Sequence, residues 1–404
     1  MPAAAKFDHP DAALNALAKR LRLVEPDAAD VLAPADLAGE RVLAVPAVAD
    51  QDSPAADVSA MDGYATRMAE LSRTDEIEVC GECMPGKPPT ALLPGTVVRI
   101  FTGAMIPQGC EAVIRREDTV ESGRTIRWSG PAVEAAAGIN IRRGGENLRR
   151  GELVLSPGKR LTAADLAALA AFGQSAAARM RPVRVRLITT GDEVLESGQS
   201  PRPWQLRNSN RAALEAILGK HPWIALHGHR HVGDDREQLA RQIDEALRHC
   251  DAVLLTGGVS MGDHDYVPEV VVRLGGTVAF HRLPIRPGKP ILGASGGEGQ
   301  LVVGLPGNPV SATVGCVRFV MPLLAKMSGQ TDWLAYHPAV RLENAGDKKL
   351  PLWWYRPVRL TGDGVAEVVA SRGSGDLVSL ARSDGFVEIP PGETGPGPWP
   401  YRRW

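Results

Sequence analysis

The chain has 404 residues, and its 46 Lys and Arg residues nearly balance 47 Asp and Glu residues, giving a formal net charge of −1. A nucleic-acid-binding protein usually carries a clear positive excess, so this composition excludes nucleic acid as an expected partner. The hydrophobic share of 44% and the charged share of 23% are typical of a folded globular protein. At roughly 100–200 residues per domain, the length predicts two to four domains.

The five cysteines are odd in number and sparse in a long chain. They therefore argue against a disulfide-stabilised scaffold and favour a reducing compartment. The first residues lack a basic start followed by a long apolar core, so we expect no signal peptide. No window approaches 18 unbroken apolar residues, so we expect no membrane-spanning helix and no membrane partner. These features predict a cytoplasmic protein.

The first part of the chain combines predicted helices with short strands. Apolar residues at three- and four-residue spacing predict a helix over residues 8–25; they are Leu14, Leu17, Leu21 and Val24. Residues 42–48 read as an extended segment that leads into a loop of small and acidic residues. Between about 75 and 145, short alternating runs separated by Gly and Pro turns predict a small β-domain. The segment LTAADLAALAAFG then predicts another helix.

Strands and helices alternate over the next 150 residues or so. The strands are predicted at VRVRLITT, DAVLLTGG and QLVVGL, and the intervening segments have helical periodicity. This order predicts a parallel α/β sheet with helices on both faces. Beyond about residue 330 short strands return, which predicts a small C-terminal β-domain.

Ligands of an open parallel sheet gather at the carboxyl ends of its strands, and three predicted strand ends carry suggestive residues. In chain order these residues are Thr190, Gly191, Asp192 and Glu193; Gly257, Gly258, Val259, Ser260 and Asp265; and Pro306, Gly307, Asn308 and Ser311. Asn308 is a predicted helix cap, and free amide groups at a helix start suit an anion. Upstream of that helix, Arg286 and Lys289 lie on the predicted tight turn of RPGKP.

The combination of these residues predicts a particular ligand chemistry. Glycine loops and a lysine attract a phosphate-like oxyanion, whereas neighbouring carboxylates would repel one. Mg²⁺ resolves the conflict because it bridges carboxylates and phosphates. The sequence therefore predicts a phosphorylated or nucleotide-bearing ligand with Mg²⁺. A single such loop is more often an ordinary turn, at roughly two to one, but three loops at successive strand ends reverse those odds.

Three other motifs suggest different chemistry. Residues 258–262 match the G-x-S-x-G elbow of serine hydrolases, but GDHDYVP predicts a continued turn where a hydrolase enters a helix. Cys80 and Cys83 match C-x-x-C, yet a zinc site needs two more ligands and only Cys110 lies nearby in sequence. Three histidines alternate in HGHRH on one face of an extended segment, where a partly exposed strand is commoner than a metal site; they are His227, His229 and His231.

Seven motifs occur in an order that is specific to one family. They are SAMDGYA (59–65), RIFTGAMIPQGCEAVIRRED (99–118), NIRRGGENL (140–148), TTGDEV (189–194), TGGVSMGDHDY (256–266), RPGKP (286–290) and GLPGNPVSAT (304–313). From about residue 10 to 390 the chain therefore resembles the molybdopterin molybdenumtransferases of the MoeA or gephyrin E-domain type. The resemblance is faintest beyond residue 330.

The resemblance implies a multidomain α/β fold. A parallel α/β molybdopterin-binding domain would be joined by an inserted β-rich domain, a mixed N-terminal domain and a C-terminal β-barrel-like domain. The implied boundaries are 1–48 with 141–178 for the discontinuous N-terminal domain, 49–140 for the inserted domain, 179–328 for the α/β domain and 329–404 for the C-terminal domain. The family also implies an elongated homodimer with its active site between the subunits.

The implied reaction inserts molybdenum into adenylylated molybdopterin. Molybdate and adenylylated molybdopterin are the substrates, AMP is released, and Mg²⁺ or a similar cation assists. An upstream molybdopterin adenylyltransferase and client molybdoenzymes would be the protein partners. This expectation agrees with the phosphate loops, carboxylates and lysine inferred from residue chemistry.

The resemblance also implies roles for acidic residues. Asp62 resembles the family's acid that is presented to the cleft of the partner subunit. Glu193 and Asp265 resemble the cleft acids that bind Mg²⁺ or position the attack on the adenylate, with Asp192 as a further metal ligand. Asp235 aligns less securely and is a further catalytic candidate.

The implied ligand-binding residues surround these acids. Gly257, Gly258 and Ser260 would hold the terminal phosphate of molybdopterin, mainly through backbone amides. Lys289, together with Arg286 and Ser311, would hold the oxygens of molybdate or phosphate and offset negative charge in the transition state. The remaining residues of the three strand ends would complete the ligand site.

Three positions depart from the family pattern. Asn147 stands where the family usually has Asp, Asn208 begins the triplet that is usually Asp-Ser-Asn or Asp-Thr-Asn, and Val58 replaces an Asn. Asparagine can donate and accept hydrogen bonds, but it cannot carry charge or act as a base. These departures leave a second hypothesis: a divergent paralogue that acts as a cofactor carrier or scaffold, with weak or altered transferase activity, for example toward tungstate.

Overall fold

The chain forms two compact units in a computed structural model. The structure describes residues 5–27, 40–129, 136–174, 178–259, 266–334 and 336–404. Unit 1 comprises Met1–Val45, Ser156–Leu166 and Ala176–Trp404, and unit 2 comprises Pro46–Leu155 and Ala167–Ser175. This division does not test the four domain boundaries, which stay a prediction.

The described residues contain eight α-helices. They are α1 Pro10–Ala18, α2 Ala163–Ala171, α3 Ser209–Leu218, α4 Arg236–His249, α5 Val267–Arg273, α6 Pro309–Gly315, α7 Met321–Met327 and α8 Leu377–Ala381. Two 3₁₀ turns lie at Met68–Ser72 and Arg116–Asp118, and one π-helical turn lies at Cys316–Val320.

The strands are short in the first half of the chain and longer in the second. The first twelve are β1 Pro26–Asp27, β2 Ala47–Val48, β3 Val58–Ser59, β4 Gly63–Thr66, β5 Ile77–Cys83, β6 Thr96–Ile100, β7 Ala112–Arg115, β8 Thr119–Ser122, β9 Thr125–Trp128, β10 Ile141–Arg142, β11 Leu153–Leu155 and β12 Arg179–Met180. The others are β13 Val183–Thr190, β14 Val194–Leu195, β15 Leu206–Arg207, β16 Ile224–Val232, β17 Ala252–Thr256, β18 Thr277–His281, β19 Ile285–Arg286, β20 Leu292–Ser295, β21 Leu301–Leu305, β22 Ala339–Leu342, β23 Trp353–Gly362, β24 Val365–Val368, β25 Gly385–Ile389 and β26 Trp399–Arg403.

A six-stranded sheet with the order β16-β13-β17-β21-β20-β18 forms the centre of unit 1. The first four strands are parallel, which confirms the predicted parallel core of the fold. Strand β20 runs antiparallel to β21, and the edge strand β18 runs antiparallel to β20, a difference from the prediction. Only residues 296–300 separate β20 from β21, and so short a connection cannot contain the crossover that a parallel pair needs.

Helices cover both faces of this sheet, as predicted. Successive residues of a strand point to opposite faces, so Val302 and Val303 of β21 belong to different cores. Val302 packs in the cluster that contains Leu239 and Ile243 of α4, and Val303 packs in the cluster that contains Leu14 of α1. Both faces of the sheet are therefore buried, which accounts for the nearly continuous apolar runs of the strands.

The first helix is shorter than predicted. It starts at Pro10, with the His9 side chain accepting the Asp11 N–H, and it ends at Ala18 rather than near residue 25. The Arg22 N–H donates to the Gly299 carbonyl at 2.9 Å, and the Val24 N–H donates to the Met327 carbonyl at 2.9 Å. These contacts replace helical hydrogen bonds, so Val24 is buried outside the helix.

The helix predicted to follow Asn308 is present as α6, the π turn and α7 in succession. Its 19 residues are long and apolar enough to cross a membrane, but 83% of the segment is buried inside the protein. Arg318 in the π turn is buried and donates to Glu388 Oε1 at 2.9 Å and to Asp11 Oδ1 at 2.7 Å. Both partners are carboxylates, so the buried cation is compensated.

The C-terminal strands close into a five-stranded barrel in the order β23-β24-β22-β26-β25, with β25 pairing back to β23. This confirms the expected barrel-like C-terminal region. Strand β19 lies parallel to β23, with Arg286 opposite Trp354. The pairing places the RPGKP turn beside the barrel.

A buried carboxylate lies at the opposite end of the central sheet, just before β17. Asp251 is 0% exposed and accepts the Arg184 backbone N–H at 2.9 Å. Three arginine side chains also donate to it: Arg22 at 3.2 Å, Arg181 at 2.6 Å and Arg184 at 3.3 Å. Burial would raise the pKa of Asp251, but hydrogen bonds from Arg181 and Arg184 hold that pKa well below its usual range.

Unit 2 is built on a second six-stranded sheet with the order β7-β4-β6-β5-β9-β8. Tyr64, Val97 and Ile114 pack in a core on one face, and Ala65, Val98 and Val113 pack in a core on the other. This alternation confirms the β-rich region predicted from the short runs between residues 75 and 145. The short pairs β2–β11 and β3–β10 extend the same unit.

Candidate functional site at the carboxyl edge of the parallel sheet

Four parallel strands of unit 1 end at the same edge of the sheet. Strand β13 ends at Thr190, β16 at Val232, β17 at Thr256 and β21 at Leu305. The Thr190 hydroxyl donates to the Thr256 carbonyl at 3.1 Å, and the Gly257 N–H donates to the Leu305 carbonyl at 3.0 Å. These hydrogen bonds bring together the three predicted strand ends.

Glycine is required where these loops approach one another. Gly191, Gly257 and Gly258 have φ values of 117°, 89° and 66°, in the region that disfavours residues with a Cβ. A Cβ on Gly257 would lie 2.4 Å from Thr190 Oγ1, which is closer than van der Waals contact allows. Glycine at position 257 therefore allows the loop after β17 to pack closely against Thr190.

The acidic residues at this edge are exposed. Asp192 and Glu193 follow the turn at Gly191, and Asp192 Oδ1 accepts the Asp234 N–H at 3.1 Å. Among the described residues, neither carboxylate forms an ion pair with Lys or Arg. Both carboxylates therefore have oxygen atoms available to a ligand, although Asp192 Oδ1 also accepts one backbone N–H.

Asp235, another predicted catalytic acid, has a clear structural role. It is the N-cap of α4, and its Oδ1 accepts the N–H groups of Glu237 and Gln238, both at 2.9 Å. Such a cap satisfies amide groups that have no partner within the helix. Its catalytic role stays a prediction.

The third strand end leads into α6, with Asn308 at the N-cap position. The Asn308 side chain does not cap the helix; its Nδ2 donates to Ser374 Oγ at 2.9 Å. Asn210, which the sequence did not single out, donates from Nδ2 to the Gly307 carbonyl at 2.7 Å. Its place in the first turn of α3 was the available signal, because a polar residue there lies at the same sheet edge.

A cavity of about 690 Å³ lies between this edge and the C-terminal barrel, within unit 1. Its lining includes the predicted residues Arg286, Lys289, Pro306, Asn308 and Ser311. It also includes barrel residues that the sequence did not indicate as functional: Lys348, Trp354 and Arg356.

The cavity is strongly basic. Four cationic side chains line it, and no carboxylate does among the described residues. Arg356 lies over the Trp354 ring at 4.4 Å, and the Lys348 ammonium lies 5.8 Å from the same ring. Cation–π contact of this kind holds positive charge beside an aromatic wall. The cavity therefore suits an anion that carries a flat ring system.

Two predicted residues of the second strand end, Ser260 and Asp265, lie outside the described residues. Their roles and the serine-hydrolase alternative stay untested. Val259 is buried, and its carbonyl accepts a hydrogen bond from His281 Nε2 at 3.0 Å. Its side chain packs in the core, so only its backbone could contact a ligand.

The other predicted catalytic residues belong to unit 2. Asp62 is exposed and accepts the backbone N–H and the hydroxyl of Thr102 at 2.7 and 2.8 Å, which lower the pKa of its carboxyl. Asn147 accepts from Arg142 Nη2 at 2.9 Å, and its Nδ2 donates to Ser53 Oγ at 3.2 Å. Asp62 and Asn147 follow antiparallel strands β3 and β10, so they lie beyond opposite ends of that ladder.

The cysteine motif of unit 2 forms no metal site in the described part of the chain. No group of three or more His, Cys, Asp or Glu side chains there could hold a metal ion. Cys80, Cys83 and Cys110 are free thiols, and burial raises the pKa of Cys83 and Cys110. A raised pKa makes a thiol a poor nucleophile, so Cys83 and Cys110 indicate a packing role rather than a catalytic one.

Three family models match consecutive parts of the chain. The MoeA N-terminal region, described as domains I and II, matches residues 9–173; the probable molybdopterin binding domain matches residues 186–326; and the MoeA C-terminal region, described as domain IV, matches residues 341–397. Together they span the carboxyl edge, the basic cavity and unit 2.

Similar proteins carry consistent names. The molybdopterin molybdenumtransferase of Synechococcus elongatus is 36% identical over 368 residues, covering 88% of this chain and 89% of the relative. That of Haemophilus influenzae is 36% identical over 300 residues, covering 73% and 72%. The molybdopterin biosynthesis moeA protein from Pyrococcus horikoshii has the same fold, with a TM-score of 0.81, 26% identity and coverage of 99% of this chain and 100% of that one.

Proposed function

Because the chain belongs to the MoeA family, we propose that it is an enzyme of molybdenum cofactor biosynthesis, a molybdopterin molybdenumtransferase. Its substrates would be molybdate and adenylylated molybdopterin, and AMP would be released. The observation that carries this proposal is the separation of charge in unit 1. A basic cavity lies beside an edge of exposed carboxylates, and the Gly257 and Gly307 loops lie between them.

The basic cavity would bind the anionic substrates. Lys289 and Arg286 would hold oxyanion oxygens, with the Ser311 hydroxyl beside them, and Lys348 and Arg356 would extend the positive wall into the barrel. Preorganised cations stabilise negative charge as it develops during group transfer, because they need not reorient. The Trp354 ring would contact the flat part of the ligand.

The carboxyl edge would hold Mg²⁺. Mg²⁺ prefers oxygen ligands and is commonly bound by one or two carboxylates together with substrate phosphates and water. The exposed carboxylates of Asp192 and Glu193 fit that donor set, with Asp265 as the third predicted ligand. When bound, the cation would neutralise phosphate charge near the Gly257 and Gly258 amides.

We further propose a cytoplasmic homodimer in which Asp62 of unit 2 contributes to the cleft of the partner subunit. The unpaired cysteines are consistent with a reducing compartment. The exposed carboxylate of Asp62 is fixed by Thr102 and has no other bonded partner among the described residues, so it is available to a second chain. An upstream adenylyltransferase and client molybdoenzymes would be the protein partners.

The central test is AMP release by the purified chain with adenylylated molybdopterin, molybdate and Mg²⁺. We expect AMP to appear in proportion to inserted molybdenum. Lys289→Ala should lower kcat/KM by roughly 10²-fold, because a preorganised charge of the basic cavity is lost. Arg359→Ala on the exposed outer part of the barrel is the matched control and should leave kcat/KM within about twofold.

The carrier or scaffold hypothesis makes a different prediction from the same assay. Asn147 is held by Ser53 and Arg142 and carries no charge at a position where the family usually has Asp. A chain that binds adenylylated molybdopterin but releases no AMP, and that gains AMP release on Asn147→Asp, would establish the carrier and reject the transferase. Omitting molybdate and adding tungstate tests the altered-substrate form of that hypothesis.

Subunit mixing tests the shared active site. Asp62→Ala and Glu193→Ala should each be inactive alone, because each removes one acid from every site. If Asp62 acts in the partner's cleft, mixed dimers carry one intact site, and random mixing should restore about a quarter of wild-type activity. If subunit exchange is demonstrated and the mixture still shows no activity, Asp62 belongs to the site of its own chain.

A further inference from the structure

A threonine hydroxyl with three partners lies directly below the candidate site. Thr189 is buried, one residue before Thr190, and its Oγ1 lies 2.8 Å from His229 Nε2 and 3.1 Å from His231 Nδ1. Asn208 Nδ2 donates to the same oxygen at 2.9 Å. The two histidines come from the HGHRH segment of β16, whose function the sequence left open.

The local backbone turns His229 towards Thr189. Leu226 pairs with Val185 and His229 pairs with Leu187, so two residues of β16 oppose one residue of β13 in a bulge. Gly228 in this bulge has a φ of 81°. Bulges of this kind redirect side chains at sheet edges and near functional sites.

The capping role of Asn208 fixes the direction of its amide. Asn208 is buried at the N-cap of α3, and its Oδ1 accepts the Arg211 N–H at 3.1 Å. Its Nδ2 group therefore faces Thr189 and acts as a donor. One of the two lone pairs of Thr189 Oγ1 is used by this hydrogen bond.

The remaining hydrogen bonds require an unprotonated imidazole. A hydroxyl has one proton and two lone pairs, so Thr189 can accept one further N–H and must donate its own proton to the last partner. His229 Nδ1 lies 3.8 Å from Glu196 Oε1, which favours a proton on Nδ1 and leaves Nε2 to accept from Thr189. His231 then donates from Nδ1. A second proton on His229 would make Nε2 a donor, so the hydroxyl proton would have to turn to His231 Nδ1 and that ring would have to change to its other tautomer.

The same cluster fixes backbone segments of the candidate site. The Asn208 N–H donates to the Leu195 carbonyl at 2.7 Å, and the Leu206 N–H donates to the Glu193 carbonyl at 2.7 Å. Two residues after the cap, Asn210 holds the Gly307 carbonyl. These hydrogen bonds connect the start of α3, which carries Asn208, to the Glu193 loop and to the loop before α6.

We propose that Asn208, Thr189, His229 and His231 form a positioning cluster beside the Glu193 and Gly307 loops, and that its present hydrogen-bond arrangement is kept while His229 is neutral and is rearranged when His229 is protonated. Its effect on substrate binding depends on the proposed transferase function, but its protonation behaviour does not.

The titratable and charged groups that face His229 come from α3, from the loop after β14 and from β16 itself. Arg211 and Glu215 lie on α3, Glu196 follows β14, and His231 shares the strand. Arg211 is paired with Glu196 at 2.8 Å and with Glu215 at 3.1 Å, which offsets much of its charge. Burial has the largest effect and lowers the pKa of His229, and the positive charge of Arg211 lowers it further.

The sign of the pH effect follows from this lowered pKa. A neutral His229 stabilises the fold fully above its unfolded pKa of about 6.5, and the contribution is lost as pH falls below that value towards the folded pKa.

Asn208→Asp provides a sharp test because aspartate is an equally good N-cap. One carboxylate oxygen would still accept the Arg211 N–H, and the other would accept the Thr189 proton. The hydroxyl could then receive N–H groups from both histidines, so protonation of His229 would become favourable. The pKa of His229 should rise by at least about one unit, a tenfold change in proton affinity.

The experiment is an NMR titration of the imidazole resonances from pH 4.5 to 8 in the full-length wild-type protein, Asn208→Asp and Asn208→Ser. Serine keeps a helix cap but provides neither the amide donor nor a new charge. We expect a His229 pKa below 6.5 in wild type, a marked rise in Asn208→Asp and a smaller change in Asn208→Ser. Equal values in wild type and Asn208→Asp would overturn the proposal.

Kinetics separate the positioning role from the proposed function. In wild type, KM for adenylylated molybdopterin should rise at least threefold between pH 7.5 and 5.5 while kcat changes less, and Asn208→Asp should lose this acid-side rise. A flat wild-type KM would overturn the link to the site. If wild type releases no AMP at any pH, the transferase proposal fails, while the NMR titration still decides whether the cluster exists.

Discussion

The two edges of the central sheet use carboxylates in opposite ways. At the amino edge, Asp251 is fully buried and surrounded by three arginines. At the carboxyl edge, Asp192 and Glu193 are exposed, and in the described part of the chain neither is paired with a cation. Charge alone therefore does not mark a functional acid. An acid whose charge is already compensated supports the fold, whereas an acid left uncompensated can bind a ligand.

The largest expected effect is at the amino edge. Asp251→Ala leaves three arginines around a buried space with no counter-charge, and breaking such a buried pair costs about 3–5 kcal/mol. Urea unfolding monitored by circular dichroism at pH 7 should show this loss in the free energy of unfolding. Asp192→Ala is the matched control and should change stability by no more than about 0.5 kcal/mol.

Acid unfolding separates the charge of Asp251 from its packing. Because its pKa is lowered in the fold, the stabilisation is complete above the unfolded pKa of about 4 and is lost as pH falls further. Asp251→Asn should therefore show a weaker loss of stability than wild type over the same acid range. Parallel curves for the two proteins would contradict the assigned role.

At the carboxyl edge we expect the reverse pattern, a loss of turnover without a loss of stability. Glu193→Ala should lower kcat for AMP release by roughly 10²–10³-fold, the usual cost of removing one preorganised electrostatic group. Its midpoint of urea unfolding should stay close to that of wild type, because the carboxylate forms no ion pair in the described residues. A large drop in stability would mean that Glu193 resembles Asp251 after all.

In the basic cavity we expect a smaller effect than at either edge of the sheet. Lys348 is one of four cations lining it and lies beside the Trp354 ring. Lys348→Ala should weaken molybdate binding by about tenfold or less at low salt, because three cations remain and the loss is partly screened. Isothermal titration at 50 and 300 mM salt measures both the loss and its dependence on ionic strength. A salt-independent loss would indicate a packing defect.

The sequence predicted the parallel strands and their terminal loops because hydrophobic runs and glycines act locally. It also predicted that a helix starts after Asn308, which stands at the N-cap position of α6. It did not predict that Lys348 and Arg356 line the cavity, because barrel closure brings them there through pairings between distant strands. The end of α1 was placed too late for the same reason: Val24 keeps helical spacing, yet its hydrogen bond goes to Met327.

Asp235 is an acid whose structural and catalytic roles can be separated by substitution, and here we expect the smallest effect. Its Oδ1 already accepts two amide protons of α4, so Asp235→Ala should cost about 1 kcal/mol of unfolding free energy through the lost cap. Asp235→Ser keeps the cap and removes the carboxylate. If Asp235 only caps the helix, serine should restore both stability and AMP release. If it is catalytic, serine should restore stability alone, and Asp235 would then combine the roles that Asp251 and Glu193 divide between the two edges.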